Sequence, residues 1–283
     1  MISHTIQATT RISDLDTQRH VTSRTYESMA LGGRHHLLSE QGLPIKKMLD
    51  EHYILYPKKS YIRFYAQQNQ DTLLEIQTQA YFQKGGWILW DQKIYQLDKT
   101  LVCHIQTLTL LVQKKNKIDL LSPDSELPSI LYSTLPKFRG TSKQIKTPYV
   151  MNFSDRDITG AYPPSAIWRV FEEGRWSFGE KTGMTLERMK ALDTISFYMG
   201  GIINVNELPR AGEKIMIHTW IQKTEKIRYW FRQDALRKMP NGTEKTLMSM
   251  CDEQLIVSLS KARPKKAPPE FIEPLKKYIE LKQ

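Results

Sequence analysis

The 283-residue chain matches itself at an offset of 141 residues. Ser13-Asp14-Leu15-Asp16 overlays Ser154-Asp155-Arg156-Asp157, Gly33-Arg34 overlays Gly174-Arg175, and Gly42 overlays Gly183. These are six identities in the thirty positions from 13 to 42, where average composition supplies roughly two. The same offset pairs Ile76 with Ile217, Thr78 with Thr219 and Gln92 with Gln233. Beyond a five-residue insertion near Asn241-Gly242, Lys99-Thr100-Leu101 meets Lys245-Thr246-Leu247. Such self-similarity is the mark of one module made twice. The expected organisation is a first repeat over 1–141, a second over 142–262, and a Pro/Lys-rich linker with a C-terminal helix over 263–283.

Each repeat reads as a short opening segment ending in the S-D-x-D box, one long helix, and then strands. The helices are expected from about Ser23 to Gln41 and from about Pro164 to Thr182, closed by Gly42 and Gly183. Ile167, Val170, Phe171 and Phe178 recur at helical spacing and predict a buried stripe. Runs rich in Ile, Val, Thr, Tyr and Trp follow: Ser60–Ala66, Thr72–Phe82, Trp87–Leu97 and Leu101–Val112, then Thr194–Asn204, Lys214–Gln222, Lys226–Arg237 and Lys245–Leu259. Turn signals at Gly85-Gly86 and Pro240-Asn241-Gly242 keep the connections short, which predicts antiparallel pairing. The fold class is therefore α+β.

Composition removes several classes. The formal charge of +11 splits into +6 over residues 1–150 and +5 over 151–283, so no basic tail exists. Neither Lys137–Lys146 nor the cluster of Lys261, Arg263, Lys265 and Lys266 adjoins a nucleic-acid-binding signature, and no nucleic-acid partner is expected. The longest apolar runs, such as Leu108–Val112, fall far short of the ~18–20 residues of a membrane span, so no membrane insertion is expected. The first fifteen residues lack the apolar core of a secretion signal. With only two cysteines, the expectation is a cytoplasmic, reduced protein without a structural zinc site. No phosphate loop, dinucleotide fingerprint or G-x-S-x-G elbow occurs, and no cofactor or metal is expected.

The first box reads Asp16-Thr17-Gln18-Arg19-His20-Val21-Thr22-Ser23-Arg24-Thr25-Tyr26. It resembles the D-x-x-G-H-V-N-N-x-x-Y motif of hotdog-fold thioesterases and the related D-x-N-x-H-V-N-N box of the double-hotdog acyl-carrier-protein thioesterases. Arg19 replaces the Gly, Gln18 the Asn, and Thr22-Ser23 the Asn-Asn pair. The second box keeps Asp157 and Gly160 but has Ala161 for His and Pro163-Pro164 for Asn-Asn. Ile167–Arg175 looks like the family's Y-x-x-x-F-E-E-A-R helix. The resemblance implies a double hotdog, each repeat a long helix wrapped by a curved antiparallel sheet. It implies hydrolysis of fatty acyl-ACP or acyl-CoA to a free acid and thiol, and it admits a homodimer of double hotdogs. Two alternatives share the fold: an acyl-thioester dehydratase or hydratase, and a non-catalytic acyl-thioester or fatty-acid binder.

The residue chemistry fits hydrolysis. A thiolate leaves without a strong acid, so the site needs a carboxylate and donors for an oxyanion. Asp16 supplies the first, as nucleophile or general base, and His20 either helps it, by orienting Asp16 or binding a carbonyl, or simply hydrogen-bonds nearby backbone. Helix-start amides near Thr25 and Tyr26 are expected to supply the second. Gln18, Thr22 and Ser23 are candidate substrate contacts, although N-capping is the plainer role for Thr22 and Ser23, and Tyr26 reads as a core aromatic. Asp157, Glu172 and Glu173 form a candidate second site, with degeneracy expected at Asp157 and solvation at the two glutamates. Asp14 and Asp155 are tuning partners or loop residues. Cys103-His104 lies in a strand, where neighbours face opposite ways, and Cys103 and Cys251 read as small buried hydrophobes. The family's later acid falls at Gln67 and Gln68, so part of its site is missing or supplied differently.

Overall fold

The computed structural model describes residues 2–17, 19–113, 116–117 and 127–280. By contact the chain divides into two compact units, Met1–Ser133 with Phe153–Arg169, and Thr134–Asn152 with Val170–Gln283. The 141-residue offset therefore does not coincide with the contact boundary, because the stretch 153–169 groups with the first unit.

In chain order the elements are β1 (Ile2–Thr9), α1 (Ser23–Glu40), α2 (Ile45–Asp50), β2 (Tyr53–Phe64), β3 (Leu73–Gln83), β4 (Trp87–Gln96), β5 (Leu101–Gln113) and β6 (Asn116–Lys117). They continue as β7 (Ile145–Val150), α3 (Pro164–Lys181), α4 (Leu186–Ala191), β8 (Ile195–Val205), β9 (Lys214–Thr224), β10 (Arg228–Lys238), β11 (Glu244–Ser258), β12 (Arg263–Pro264) and α5 (Pro269–Ile272). Within the first unit the strands pair antiparallel in the order β1-β3-β4-β5-β2, and within the second in the order β7-β9-β10-β11-β8. The first residues of α1, α2 and β3, shifted by 141, are the first residues of α3, α4 and β9.

Both long helices stop for the same physical reason. Gly42 and Gly183 take φ of +79° and +72°, which only glycine adopts without strain. Leu43 N then donates to Leu38 O at 2.9 Å, and Met184 N to Gly179 O at 2.8 Å, closing the last turns. In the first unit α1 covers Trp90, Phe82, Ile88 and Leu111 with Leu37 and Leu38. In the second, Phe178 packs with Phe231, Tyr229 and Ile256. The expected C-terminal helix is a short α5 and a 3-10 turn (Glu273–Tyr278), whose Phe271, Leu275 and Tyr278 join that core; Leu281 lies outside the described residues.

Each long helix docks on its sheet through one repeated contact. Gln92 Nε2 donates to Ala30 O (2.7 Å) and Thr78 Oγ1 (2.9 Å); Gln233 Nε2 donates to Phe171 O (3.0 Å) and Thr219 Oγ1 (3.1 Å). All three positions of the contact are related by the sequence offset. The helix approaches so closely that a Cβ on Gly33 would strike Thr78 Oγ1, and one on Gly174 would strike Gln233 Nε2 and come within 2.8 Å of Ile217. Gly33→Ala and Gly174→Ala are each expected to cost about 1–3 kcal/mol by overpacking. Urea unfolding should show a lower midpoint at unchanged slope, and an unmoved midpoint would disprove the tight docking.

Four strands have no counterpart among the expected runs: β1, β7 and the two-residue β6 and β12. β1 alternates half-buried and exposed residues, as does β7 after its buried Ile145, and β7 carries Pro148 at the border of the sheet, where a missing donor is tolerated. β2 begins seven residues before the expected Ser60, because Pro57 and the lysines after it sit in a bulge rather than a turn.

Candidate active site

The first box folds into a closed loop. Asp16 N donates to His20 O (2.9 Å), Arg19 N to Asp16 O (3.0 Å), and His20 N to Asp16 Oδ1 (3.0 Å). Arg19 stands at φ +66°, which is why the related motif prefers glycine there. The second box closes identically: Asp157 N to Ala161 O (2.8 Å), Gly160 N to Asp157 O (3.0 Å), Ala161 N to Asp157 Oδ1 (3.2 Å), with Gly160 at φ +85°. Asp157 Oδ1 also accepts Thr159 N and Thr159 Oγ1, at 2.9 and 2.6 Å. Losing the histidine thus leaves the loop intact, because the donor is the main-chain amide. Asp16 is half-buried, just ahead of α1. Gln18 lies outside the described residues.

The helix start departs from expectation. Thr22 occupies the N-cap position but its side chain makes no cap bond; its hydroxyl meets Thr25 Oγ1 at 3.1 Å instead. Thr22 N donates to Asp14 O at 3.1 Å, and Thr22 O accepts Thr25 N (3.1 Å) and Tyr26 N (3.3 Å). The amides expected to receive an oxyanion are therefore committed to the helix, and the two ahead of them, on Ser23 and Arg24, are the first-turn amides left over. Tyr26 is buried against Phe64, ring centroids 5.2 Å apart, and burial followed by Cys103 raises its pKa far above normal.

Two polar residues near the box were not singled out as site members from sequence. Val21 N donates to Gln68 O at 3.3 Å, bringing Gln68 to the box. The Gln68 side chain is buried; its Oε1 accepts Gln96 Nε2 at 2.8 Å while its Nε2 has no partner. A buried unpaired donor is costly. Gln67 is exposed. The second residue is Glu27, fully buried one position after Tyr26. It accepts Ser60 Oγ (2.5 Å), Arg34 Nη2 (3.0 Å) and Trp168 Nε1 (3.3 Å). Arg34 also donates to Gln92 Oε1 (2.7 Å) and Thr107 Oγ1 (2.8 Å); burial lowers its pKa and Glu27 opposes that. The signal was the i, i+7 spacing, two turns apart on one face.

The remaining candidates do not join these residues. Cys103 is fully buried, its thiol pushed up by burial and then by Glu27, while His104 bonds Asp91 on the other face. Burial raises Cys251 to about 12. Glu172 is half-buried and Glu173 exposed. Glu172 adds to the field at Arg175, whose guanidinium pairs with buried Asp252 at 3.0 Å and stacks 4.9 Å from the Tyr198 ring. Burial pushes the Asp252 carboxyl up while Arg175 pulls it down. Asp14 Oδ2 accepts Arg11 N at 2.7 Å, and Asp155 Oδ1 accepts Arg169 Nη1 at 2.8 Å. Among the described residues no three metal-ligating side chains cluster, and no helix is long and apolar enough to cross a membrane.

No protein-family model and no curated protein matches the chain. Solved structures do. A protein assigned as an oleoyl thioesterase from Lactobacillus plantarum is 13% identical, with 90% of this chain and 96% of that one aligned at a TM-score of 0.69. The 12:0-ACP thioesterase of Umbellularia californica is 7% identical over 93% and 94%, at 0.67. An acyl-ACP thioesterase of Bacteroides thetaiotaomicron is 10% identical over 90% and 98%, at 0.64. The chain has the hotdog fold. Over nine-tenths of its length, that fold is the one these thioesterases share.

Proposed function

We propose that the protein is an acyl thioesterase made of two tandem hotdog repeats, 1–141 and 142–262, with 263–283 as a C-terminal addition. Its substrate is an acyl thioester on coenzyme A or acyl carrier protein. The observation that carries the reading is a half-buried carboxylate, Asp16, in a closed loop seven residues ahead of α1, where Val21 N of the same box donates to Gln68 O and so brings in Gln68, whose buried Nε2 has no partner. The Asp16 carboxylate either draws a proton from water, whose oxygen attacks the carbonyl carbon, or attacks that carbon itself. The negative charge on the carbonyl oxygen is met by Gln68 Nε2 and the first amides of α1. As the oxyanion collapses the C–S bond breaks, and the thiolate leaves and takes a proton from solvent. On the nucleophile route water then hydrolyses the Asp16 anhydride. His20 holds Asp16 by its main-chain amide. The second box keeps the loop without the histidine and is a degenerate copy, and Glu172 serves Arg175.

The direct test is free thiol release from acyl-CoAs of several chain lengths, with and without acyl carrier protein as carrier. No release from any of them would remove the reading. Gln68→Ala is expected to lower kcat/KM by about 10²–10³-fold, the cost of one oxyanion donor, and an unaffected rate would exclude Gln68 from the site.

A further inference from the structure

The first unit holds a pocket of about 490 Å³ that reaches the first turn of α1 but not the proposed catalytic carboxylate. Neither Asp16 nor Gln68 lines it. Three guanidinium-bearing residues do, Arg11, Arg24 and Arg169, against two carboxylates, Asp14 and Asp155. Both carboxylates already have partners, Asp14 the main-chain amide of Arg11 and Asp155 the Arg169 guanidinium. Arg11 and Arg24 form no ion pair among the described residues, although Arg24 is half-buried.

Two helix starts meet at the same place. Arg24 and Thr25 lie in the first turn of α1, Ser165 and Ala166 in the first turn of α3, and all four line the pocket. Pro164 has no N–H, so the first amide of α3 is that of Ser165, while Ala166 N is taken by Pro163 O at 3.0 Å. Each 18-residue helix brings roughly half a positive charge to its N-terminus. With a net formal +1 from the side chains, the pocket therefore carries roughly +2. Ala8 and Met29 add an apolar wall. The volume is in the range of small-molecule sites, far above the needs of a bare ion.

We propose that this pocket binds a phosphorylated small molecule, its phosphate or diphosphate held by Arg11, Arg24 and the start of α3, and its organic part against Ala8 and Met29. Guanidiniums and helix-start amides are the groups that recognise phosphate oxygens by charge-assisted hydrogen bonds. The site stands independently of the thioesterase reading, because its test measures binding and not hydrolysis.

Calorimetric titration of the full chain with pyrophosphate, at constant ionic strength, should give saturable one-site binding. Arg24→Gln should weaken it about tenfold or more, as should Arg11→Gln, whose exposed side chain can be replaced without disturbing the fold. Adding coenzyme A distinguishes the phosphate's source. Competition assigns the pocket to the carrier's phosphates, and independence assigns it to a separate phosphorylated metabolite; both outcomes retain the anion site. No saturable binding to the wild type, or equal affinity in a folded Arg11→Gln protein, would overturn it.

Discussion

Arg34→Met is expected to destabilise the protein by about 3–5 kcal/mol, out of a total stability of about 5–15 kcal/mol for a typical protein. Arg34 and Glu27 are both fully buried, and their side chains pair at 3.0 Å. Removing the guanidinium leaves the Glu27 carboxylate in the core with Ser60 and Trp168 as its donors among the described residues, and takes a partner from Gln92 and Thr107. The ion pair itself is not a large net gain, since both charges have left water and Arg34 Nη1 still lacks a partner. It follows that Glu27→Met combined with Arg34→Met should cost less than Arg34→Met alone, because no uncompensated charge remains. A double-mutant cycle by urea unfolding measures the coupling. A double mutant as destabilised as the sum of its parts would show that the two charges do not act as a pair.

The arginine recurs at the 141-residue offset but its acid does not. Arg175 occupies Arg34's place, while the residue matching Glu27 is Trp168 and the acid is Asp252 on β11. The sequence repeat thus preserved the cation and let the anion move from helix to strand, which is why matching residue for residue could not reveal either pair. What the sequence did make legible was the part governed by local rules. The S-D-x-D box, the helix starts at Ser23 and Pro164 and the glycine stops at 42 and 183 depend on backbone geometry near in sequence. Gln92 and Gln233 appeared as matched letters, and their role in holding helix to sheet required the fold. Gln68 read as a missing acid; its burial and empty Nε2 depend on Gln96, which is distant in sequence. The arginine pocket draws on the end of β1, the first turns of α1 and α3 and Asp155, and no single stretch of sequence contains it.

Asp16→Asn is expected to reduce thioester hydrolysis by about 10²–10⁴-fold, the usual contribution of a positioned acid–base group, with the melting temperature nearly unchanged. The separation of the two effects follows from the loop. Asp16 Oδ1 accepts His20 N at 3.0 Å, and an asparagine offers a carbonyl oxygen in the same place, so the loop can still close. What it loses is the negative charge and the basic lone pair, which only the chemistry requires. Asp157→Asn supplies the matched control, because Asp157 closes the same loop with the same bond, 3.2 Å to Ala161 N. It should leave both turnover and melting temperature close to wild type. Asp157→Ala, which removes the acceptor shared by Thr159 and Ala161, should instead melt earlier, by the 1–3 kcal/mol that unsatisfied donors cost. If Asp157→Asn abolished hydrolysis and Asp16→Asn did not, the catalytic carboxylate would belong to the second box, and His20 would have no part in the reaction.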